Sequence, residues 1–148
     1  MTAQSFLQFS KLLHKITPTN VVRFKHGLPG FPHEMEFVLM QNPEDKPLAW
    51  LQSLKTPDLA FVVTSPFFLF PEYRPDIPED DLMEIGSPPL DQVLVVSILK
   101  LINSTPPELH TNLKAPIIIN LLSFQAQQSI LANESMYSER AVYRIQGV

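Results

Sequence analysis

The sequence has no cysteine, and glycine is scarce, with only four copies among 148 residues. The absence of cysteine excludes thiolate metal sites, thiol catalysis and a disulfide scaffold, and it fits a reducing cytoplasm. No apolar stretch is long enough to cross a bilayer, because Pro, Ser or Lys interrupts each of the longest ones. Residues 1–5 lack the basic head and apolar core of a signal peptide. We therefore predict a soluble, cytoplasmic protein that has no contact with membranes.

Proline, in contrast, is abundant, with fifteen copies, which is about twice its average usage. Proline cannot donate a hydrogen bond to a β-ladder or stand inside a helix, so these residues divide the chain into short segments. A protein of long helices is therefore nearly excluded. Hydrophobic residues make up 45 % and charged residues 18 % of the chain, which indicates a packed globule rather than a disordered chain. We predict a single domain that spans residues 1–148.

Short apolar segments follow one another at fairly regular spacing, and we interpret about eight of them as β-strands. The clearest are residues 21–24, 36–40, 48–54, 59–64, 91–102, 113–120 and 125–132. Residues 5–16 are ambiguous, and their spacing slightly favours a helix. The tail, residues 133–148, is polar, and we expect it to be extended. This pattern predicts an all-β, mainly antiparallel fold that forms a small barrel.

One short helix is predicted near residues 78–85. Acidic residues occupy its first turn, Pro78 stands at an early position, and Gly86 ends it. The helix belongs to an acidic stretch, residues 72–91, which contains seven carboxylates and only one basic residue, an arginine. Such a stretch would repel nucleic acid and attract a basic partner. On charge alone, a solvated loop and helix face is the simpler interpretation.

Aromatic residues are concentrated at positions 67–73, next to these acids. Aromatic side chains supply buried anchors at protein interfaces, and charges steer the encounter. Most of these rings are expected to pack inward, and two are kept as interface candidates. The candidate partner-binding residues on this basis are Phe70, Tyr73, Asp76, Glu79, Asp80, Asp81 and Glu84. Direct binding of nucleic acid is not expected, because the basic residues do not alternate with aromatic ones.

No arrangement of residues in the sequence indicates catalysis, a metal ion or a cofactor. The four histidines lack the paired spacing of a metal-binding helix, and no G-x-S-x-G motif marks a nucleophilic serine. We therefore predict that the protein is not an enzyme and has no catalytic, metal-binding or cofactor-binding residues. The alternative is a small-ligand-binding barrel or an unrecognised hydrolase. That alternative requires a deep polar pocket in which His110 is hydrogen-bonded to Asp91 or Glu108.

Six short motifs stand in order along residues 21–140. The first lies in residues 23–31 and has the form F-x-x-G-(I/L)-P-G-F. The others are residues 50–53, 57–63, 70–73 with 76–78, 112–120 and 135–138. Together they resemble the FliW family of flagellar assembly factors. The first twenty residues depart from the family pattern, because they are basic where FliW proteins usually have a charged strand and an acidic turn.

The resemblance implies a small β-barrel and a cytoplasmic protein of flagellated bacteria. FliW proteins bind flagellin before its export, and they bind the translational regulator CsrA and antagonise its repression of flagellin synthesis. The resemblance therefore implies flagellin and CsrA as partners, with roles as a chaperone and in translation regulation during flagellum biogenesis. It also adds Tyr137, in the last matching motif, to the candidate contact residues. CsrA must carry basic surfaces to hold RNA, so the acidic stretch has the complementary sign.

Overall fold

The computed structural model describes residues 11–41 and 48–145. The described part contains nine strands: β1 (Val21–Phe24), β2 (Glu36–Met40), β3 (Ala49–Ser53), β4 (Ala60–Thr64), β5 (Val93–Ile102), β6 (Glu108–Thr111), β7 (Ile117–Asn120), β8 (Gln125–Gln128) and β9 (Ala141–Arg144). It also contains helical residues 11–13, the short α-helices α1 (Pro66–Leu69) and α2 (Glu79–Glu84), and two 3-10 helices, Leu90–Gln92 and Glu134–Met136.

Seven strands close into a barrel in the order β4-β3-β2-β1-β8-β7-β5, because β4 also pairs with β5. Only β1 and β8 run parallel, over two residue pairs, Arg23 with Gln125 and Phe24 with Ala126. The other pairs are antiparallel. The predicted all-β, mainly antiparallel barrel is therefore confirmed. Helix α2 confirms the short helix that was predicted near residues 78–85.

Strand β5 is ten residues long and has three neighbours. Its first part pairs with β7, its central residues Ser97 and Ile98 pair with β4, and its last part pairs with β6. Strand β9 pairs with β6, so β5, β6 and β9 form a small side sheet that leaves the barrel. The tail was expected to be extended, but β9 was not identified as a strand from the sequence.

The barrel interior holds the main hydrophobic core. Alternate residues of β5 point in opposite directions, so Leu94 and Val96 lie in the interior whereas Val93 and Val95 lie in a second cluster outside it. Strand β7 is divided in the same way, with Ile118 on the outside. Both strands are therefore covered on both faces, which accounts for their uninterrupted apolar sequences.

The first described residues pack onto the barrel core. Residues 11–13 are helical, and Leu12, Leu13 and Ile16 are buried in the interior cluster. This part agrees with the preference for a helix over residues 5–16, whose first half lies outside the described residues. Within residues 11–41 and 48–145, every helix is too short or too polar to span a membrane.

Candidate protein-binding surface

Residues 66–86 cross the outside of the barrel and carry most of the predicted contact residues. Their apolar side chains form the second hydrophobic cluster together with β5, β7 and flanking loops. The buried members of this cluster are Phe67, Tyr73, Ile77, Ile85, Val93, Val95, Leu113, Ile118 and Leu131. Full burial of one such apolar side chain contributes about 1.5–3 kcal/mol, so the cluster holds the segment firmly against the barrel.

Tyr73 is buried, and this corrects the prediction that it contacts a partner. Only 1 % of the residue is exposed, and its hydroxyl donates to the carbonyl oxygen of Leu113 at 2.8 Å. The ring was kept as an interface candidate because it stands in an aromatic stretch beside the acids, but it packs between the rings of Phe67 and Tyr137. Burial, and secondly the phenol of Tyr137, raises the pKa of Tyr73 above the usual range of a tyrosine. The side chain therefore fastens the segment to the barrel.

Phe70 and Tyr137 lie half-buried at the rim of this cluster. The Phe70 ring packs edge-on against the Tyr143 ring, with centroids 6.5 Å apart. The Tyr137 ring packs against Tyr73 with centroids 4.8 Å apart. The Tyr137 hydroxyl also accepts a hydrogen bond from the backbone N–H of Arg74 at 2.8 Å. Each ring can therefore offer its exposed part to a partner while it keeps its place in the fold.

Asp76 is exposed on a loop that is tied to the tail. Its backbone N–H donates to the side chain of Asn133 at 3.0 Å, and its carbonyl accepts a hydrogen bond from the N–H of Ala132 at 2.8 Å. The Asn133 amide also donates to the carbonyl of Arg74 at 2.8 Å. Because the backbone makes these bonds, the loop is fixed while the Asp76 carboxylate faces solvent.

The acids in the first turn of helix α2 have two different roles. Glu79 and Asp80 are exposed, and neither forms an ion pair with another described residue. Asp81 is half-buried, because its carboxylate accepts hydrogen bonds from Gln127 at 2.9 Å and from Ser129 at 2.6 Å. Asp81 therefore anchors the helix to β8 and the residue beyond it, while the other two carboxylates face outward.

The end of helix α2 is held by polar contacts on two sides. Glu84 forms an ion pair with Lys25 at 3.6 Å, and the Nε2 atom of His26 lies 3.9 Å from the same carboxylate. The buried side chain of Asn120, at the end of β7, donates to the carbonyl of Ile85 at 2.7 Å. Asn120 was not identified from the sequence, although a lone polar residue that ends an apolar strand is a signal for a buried hydrogen bond. These contacts give the helix one orientation relative to the barrel.

The exposed carboxylates of Asp76, Glu79 and Asp80, with Glu84 at the edge, form a patch that we term the acidic surface. Exposed carboxylates attract a basic partner over a distance of about 10 Å at ordinary ionic strength. Because the supporting loop and helix are already fixed, a partner would lose little entropy in ordering them. The arrangement is therefore suited to binding a positively charged protein surface.

Comparison with known proteins assigns this chain to a family. The model of the family described as FliW protein matches residues 10–142. The chain belongs to the FliW family. The resemblance that was drawn from the six sequence motifs is thereby confirmed.

Individual FliW proteins agree with this assignment. The chain is 38 % identical over 129 residues to the flagellar assembly factor FliW of Bacillus velezensis, a match that covers 86 % of this chain and 89 % of that protein. It is 34 % identical over 117 residues to flagellar assembly factor FliW 2 of Desulfotalea psychrophila, covering 79 % and 76 % of the two chains. A crystal structure of the flagellar assembly factor FliW is similar with a TM-score of 0.77 and 34 % identity, over 90 % of this chain and 92 % of that one.

The FliW motif in residues 23–31 forms a tight turn after β1. Gly27 and Gly30 have φ angles of +66° and +85°, in the region that favours glycine. A Cβ atom on Gly27 would lie 2.6 Å from the backbone oxygens of Phe31 and Pro32, whereas one on Gly30 would meet open space. The motif is therefore explained by the close approach of two backbone segments rather than by a phosphate or another ligand.

The histidine–carboxylate pair that the alternative ligand-binding or hydrolase function requires is present. His110 Nε2 lies 3.0 Å from Glu108, but the other carboxylate oxygen of Glu108 pairs with Arg144 at 3.3 Å. Glu108 and His110 lie on the same strand, β6, and the ion pair of Glu108 with Arg144 joins β6 to the adjacent strand β9. Asp91 lies far from this pair. His110 pairs with Lys100 of β5, and Asp91 precedes β5, about 30 Å from Lys100 along the strand. His110 also lines an open groove with Thr111 and Asn112, but neither Glu108 nor Asp91 is among its lining residues.

The described residues offer no metal-binding site either. In the part of the chain that the structure describes, no group of three or more His, Asp and Glu side chains could hold a metal ion. The acidic surface does not meet this requirement, because its carboxylates are spread along a loop and one exposed helix face. Its geometry supports electrostatic recognition of another protein.

Proposed function

We propose that this FliW-family protein is a flagellar assembly factor that acts in the cytoplasm, without catalysis, by binding flagellin and the translational regulator CsrA. While it holds CsrA, the protein antagonises repression of flagellin synthesis. When unexported flagellin occupies the protein, CsrA is released and represses further synthesis. Family membership supports the role in flagellar assembly, because its relatives carry that description.

The observation that carries the proposal for CsrA is the acidic surface. A translational regulator that binds RNA must present basic side chains, and these are attracted by exposed carboxylates. Glu79 and Asp80 are suited to this role because they are exposed and form no ion pair among the described residues. Asp81 is not, because Gln127 and Ser129 already occupy its carboxylate.

Partly exposed aromatic rings lie close to this surface and supply apolar contact area. Tyr137 is hydrogen-bonded to the backbone of Arg74, two residues before Asp76. Phe70 precedes the same loop and is half-buried. Aromatic side chains near charged rims are common anchors in protein interfaces. We therefore propose Phe70 and Tyr137, with the carboxylates of Asp76, Glu79, Asp80 and Glu84, as contact residues.

Mixing the purified proteins tests the proposal directly. The chain is combined with CsrA, with flagellin, or with both, and the mixtures are analysed by size-exclusion chromatography. We expect one complex with each partner. In the three-component mixture, added flagellin should move CsrA from the complex to the free fraction. Absence of any complex with CsrA would overturn that part of the proposal, and a stable ternary complex would overturn the competition.

Charge reversal on the acidic surface tests which carboxylates contribute to binding of CsrA. The variant Glu79→Lys/Asp80→Lys should weaken binding to CsrA about tenfold at low salt, because attraction between two pairs of charges becomes repulsion. The matched control Asp58→Lys/Glu139→Lys reverses two other exposed carboxylates and should bind within about twofold of the unaltered chain. Calorimetry at two salt concentrations measures both. Equal losses in the two variants would indicate an effect of net charge alone.

A further inference from the structure

A second groove, of opposite charge, lies beside the parallel pair of strands β1 and β8. Its lining includes Arg23, Lys25, His33, Met35 and Lys55, together with the carboxylates of Glu36 and Glu84, and we term it the basic groove. It adjoins the acidic surface, since Glu84 belongs to both. The groove exists because β1 and β8 pair over only two residues, after which the chain turns away from β8.

The charges of the groove are only partly neutralised by its own acids. Arg23 pairs with Glu36 at 3.2 Å, and Lys25 pairs with Glu84 at 3.6 Å. Lys55 forms no ion pair with any residue in the described ranges. The lining therefore has one lysine more than its carboxylates can pair, although the whole chain has a formal charge of −4. A groove with this charge balance attracts a carboxylate.

The position of Lys55 is fixed by a hydrogen-bonded turn after β3. The Oγ of Ser53 accepts hydrogen bonds from the backbone N–H groups of Lys55 at 3.1 Å and Thr56 at 2.9 Å. The same hydroxyl donates to the buried carboxylate of Glu34 at 3.0 Å, which also accepts a hydrogen bond from the Thr56 hydroxyl. The wall of the groove is thus preorganised, so that binding there would order little of the chain.

The groove also presents an apolar surface. Met35 is 45 % exposed, although its carbonyl is hydrogen-bonded to the backbone of Phe24 in β1. Beneath it, Phe24 and Ala126 are buried at the seam between β1 and β8. A methionine side chain is flexible and polarizable, so it adapts to apolar groups of different shapes. The groove therefore combines a lysine for a carboxylate with a methionine for an apolar side chain.

We propose that the basic groove binds an acidic segment of a partner protein, with an Asp or Glu side chain paired to Lys55 and an adjacent apolar side chain packed on Met35. Nucleic acid fits less well, because it carries a phosphate at every nucleotide, whereas Lys55 alone among the groove's lysines and arginine has no ion pair with a described residue, and Glu36 and Glu84 are 50 % and 45 % exposed on the rim. The groove also lacks an exposed aromatic ring on which a base could stack, since Phe24 is buried. The two side chains that would hold this segment, Lys55 and Met35, are not among the residues proposed to meet CsrA, although Glu84 borders both surfaces.

Nuclear magnetic resonance of the full chain, labelled with ¹⁵N, tests the proposal. The probe is the blocked peptide acetyl-Asp-Leu-Glu-Leu-Asp-amide. We expect it to shift the backbone amide signals of Lys25, Met35, Lys55 and Gln125, with smaller shifts elsewhere. The shifts should weaken as salt is added, because the attraction is electrostatic.

Two variants and one control test the roles of the side chains. Lys55→Glu should weaken binding of the peptide at least about fivefold, because an attraction becomes a repulsion. Met35→Ser keeps the charge of the groove and should also weaken binding. Lys100→Glu reverses an exposed lysine on β5, outside the basic groove, and should leave the affinity within about twofold. Unchanged amide signals outside the groove confirm that each variant is folded.

Several results would overturn the proposal. These are shifts that map outside the groove, a Lys55→Glu variant that binds as well as the unaltered chain, and equal shifts with a peptide in which lysines replace the acids. A single-stranded RNA oligonucleotide that shifts the same amides more strongly would assign the groove to nucleic acid instead. Binding to CsrA is measured separately for Lys55→Glu, so failure of the groove and failure of the proposed CsrA surface are distinguishable.

Discussion

The hydroxyl of Tyr73 donates to the carbonyl oxygen of Leu113 at 2.8 Å, and this bond joins the segment outside the barrel to the barrel wall. Both residues belong to the second hydrophobic cluster. The acidic surface follows Tyr73 along the chain, so its position depends on this attachment. Four predictions concern the contacts that hold this segment and the turn after β1 in place.

The first prediction concerns the buried hydrogen bond itself. Tyr73→Phe removes the donor and leaves the Leu113 carbonyl without its partner, which should lower the free energy of unfolding by about 1–2 kcal/mol. Urea denaturation followed by circular dichroism measures the change. Tyr143→Phe is the control, because this half-buried tyrosine lies at the rim and should change the value by less than about 0.5 kcal/mol. Equal effects of the two changes would contradict the importance of the bond.

The second prediction concerns stability at high pH. Burial raises the pKa of Tyr73 in the folded state, whereas the unfolded chain releases this proton near pH 10. Above pH 10 the folded state therefore binds more protons than the unfolded state. The contribution of Tyr73 to the free energy of unfolding is fully present below pH 10 and falls above it by up to about 1.4 kcal/mol per pH unit. Urea denaturation between pH 8 and 11.5 should show a steeper loss for the unaltered chain than for Tyr73→Phe. Parallel curves would mean that Tyr73 does not contribute.

The third prediction compares two glycines of the FliW motif. Gly27→Ala places a Cβ atom 2.6 Å from two backbone oxygens at a positive φ angle, and should cost at least about 3 kcal/mol or prevent folding. Gly30→Ala has the same backbone strain without the collision, and should cost only about 1–2 kcal/mol. The yield of soluble protein and the thermal midpoint measure both. A larger loss from Gly30→Ala would contradict this explanation of the turn.

The fourth prediction separates two adjacent acids of helix α2. Asp81→Ala leaves the side chains of Gln127 and Ser129 without their acceptor, so the free energy of unfolding should fall by about 1–3 kcal/mol. Asp80→Ala changes an exposed carboxylate and should alter it by less than about 0.5 kcal/mol. Binding to CsrA should be weakened more by Asp80→Ala than by Asp81→Asn, provided that the Asp81→Asn variant is folded. If Asp80→Ala proves the more destabilising change, the assignment of the two roles is wrong.

The elements predicted from the sequence are those that carry a strong local signal. The apolar run of β5 and the acidic start of α2 were identified because periodicity, proline and charge all agree there. Helix α1 was missed, although Ser65 and Pro66 are a start signal: the Ser65 hydroxyl accepts a hydrogen bond from the Phe67 N–H at 3.2 Å. Strand β9 was missed because it is short, polar and exposed along one face, so its only strong support is its pairing with β6.

The candidate site was predicted in part for a similar reason. The sequence contains the acids at positions 76–84, but it does not show that Asp81 meets Gln127 and Ser129, more than forty residues away along the chain. Nor does it show that Tyr73 points inward, since the alternation of aromatic residues fits either direction. Burial of one ring and exposure of its neighbours depend on which side of the segment meets the barrel.

Local chemistry in the sequence determined the class of fold, because proline divides the chain and alternating apolar residues favour strands whatever their neighbours are. Family membership could also be predicted from the sequence, because short motifs such as residues 23–31 are local. The tertiary structure alone decided which carboxylates are exposed, which ring is buried and where the basic groove opens. Those features arise from contacts between residues that are distant along the chain, such as Tyr73 with Leu113 and Asp81 with Gln127, and no local sequence pattern specifies such contacts.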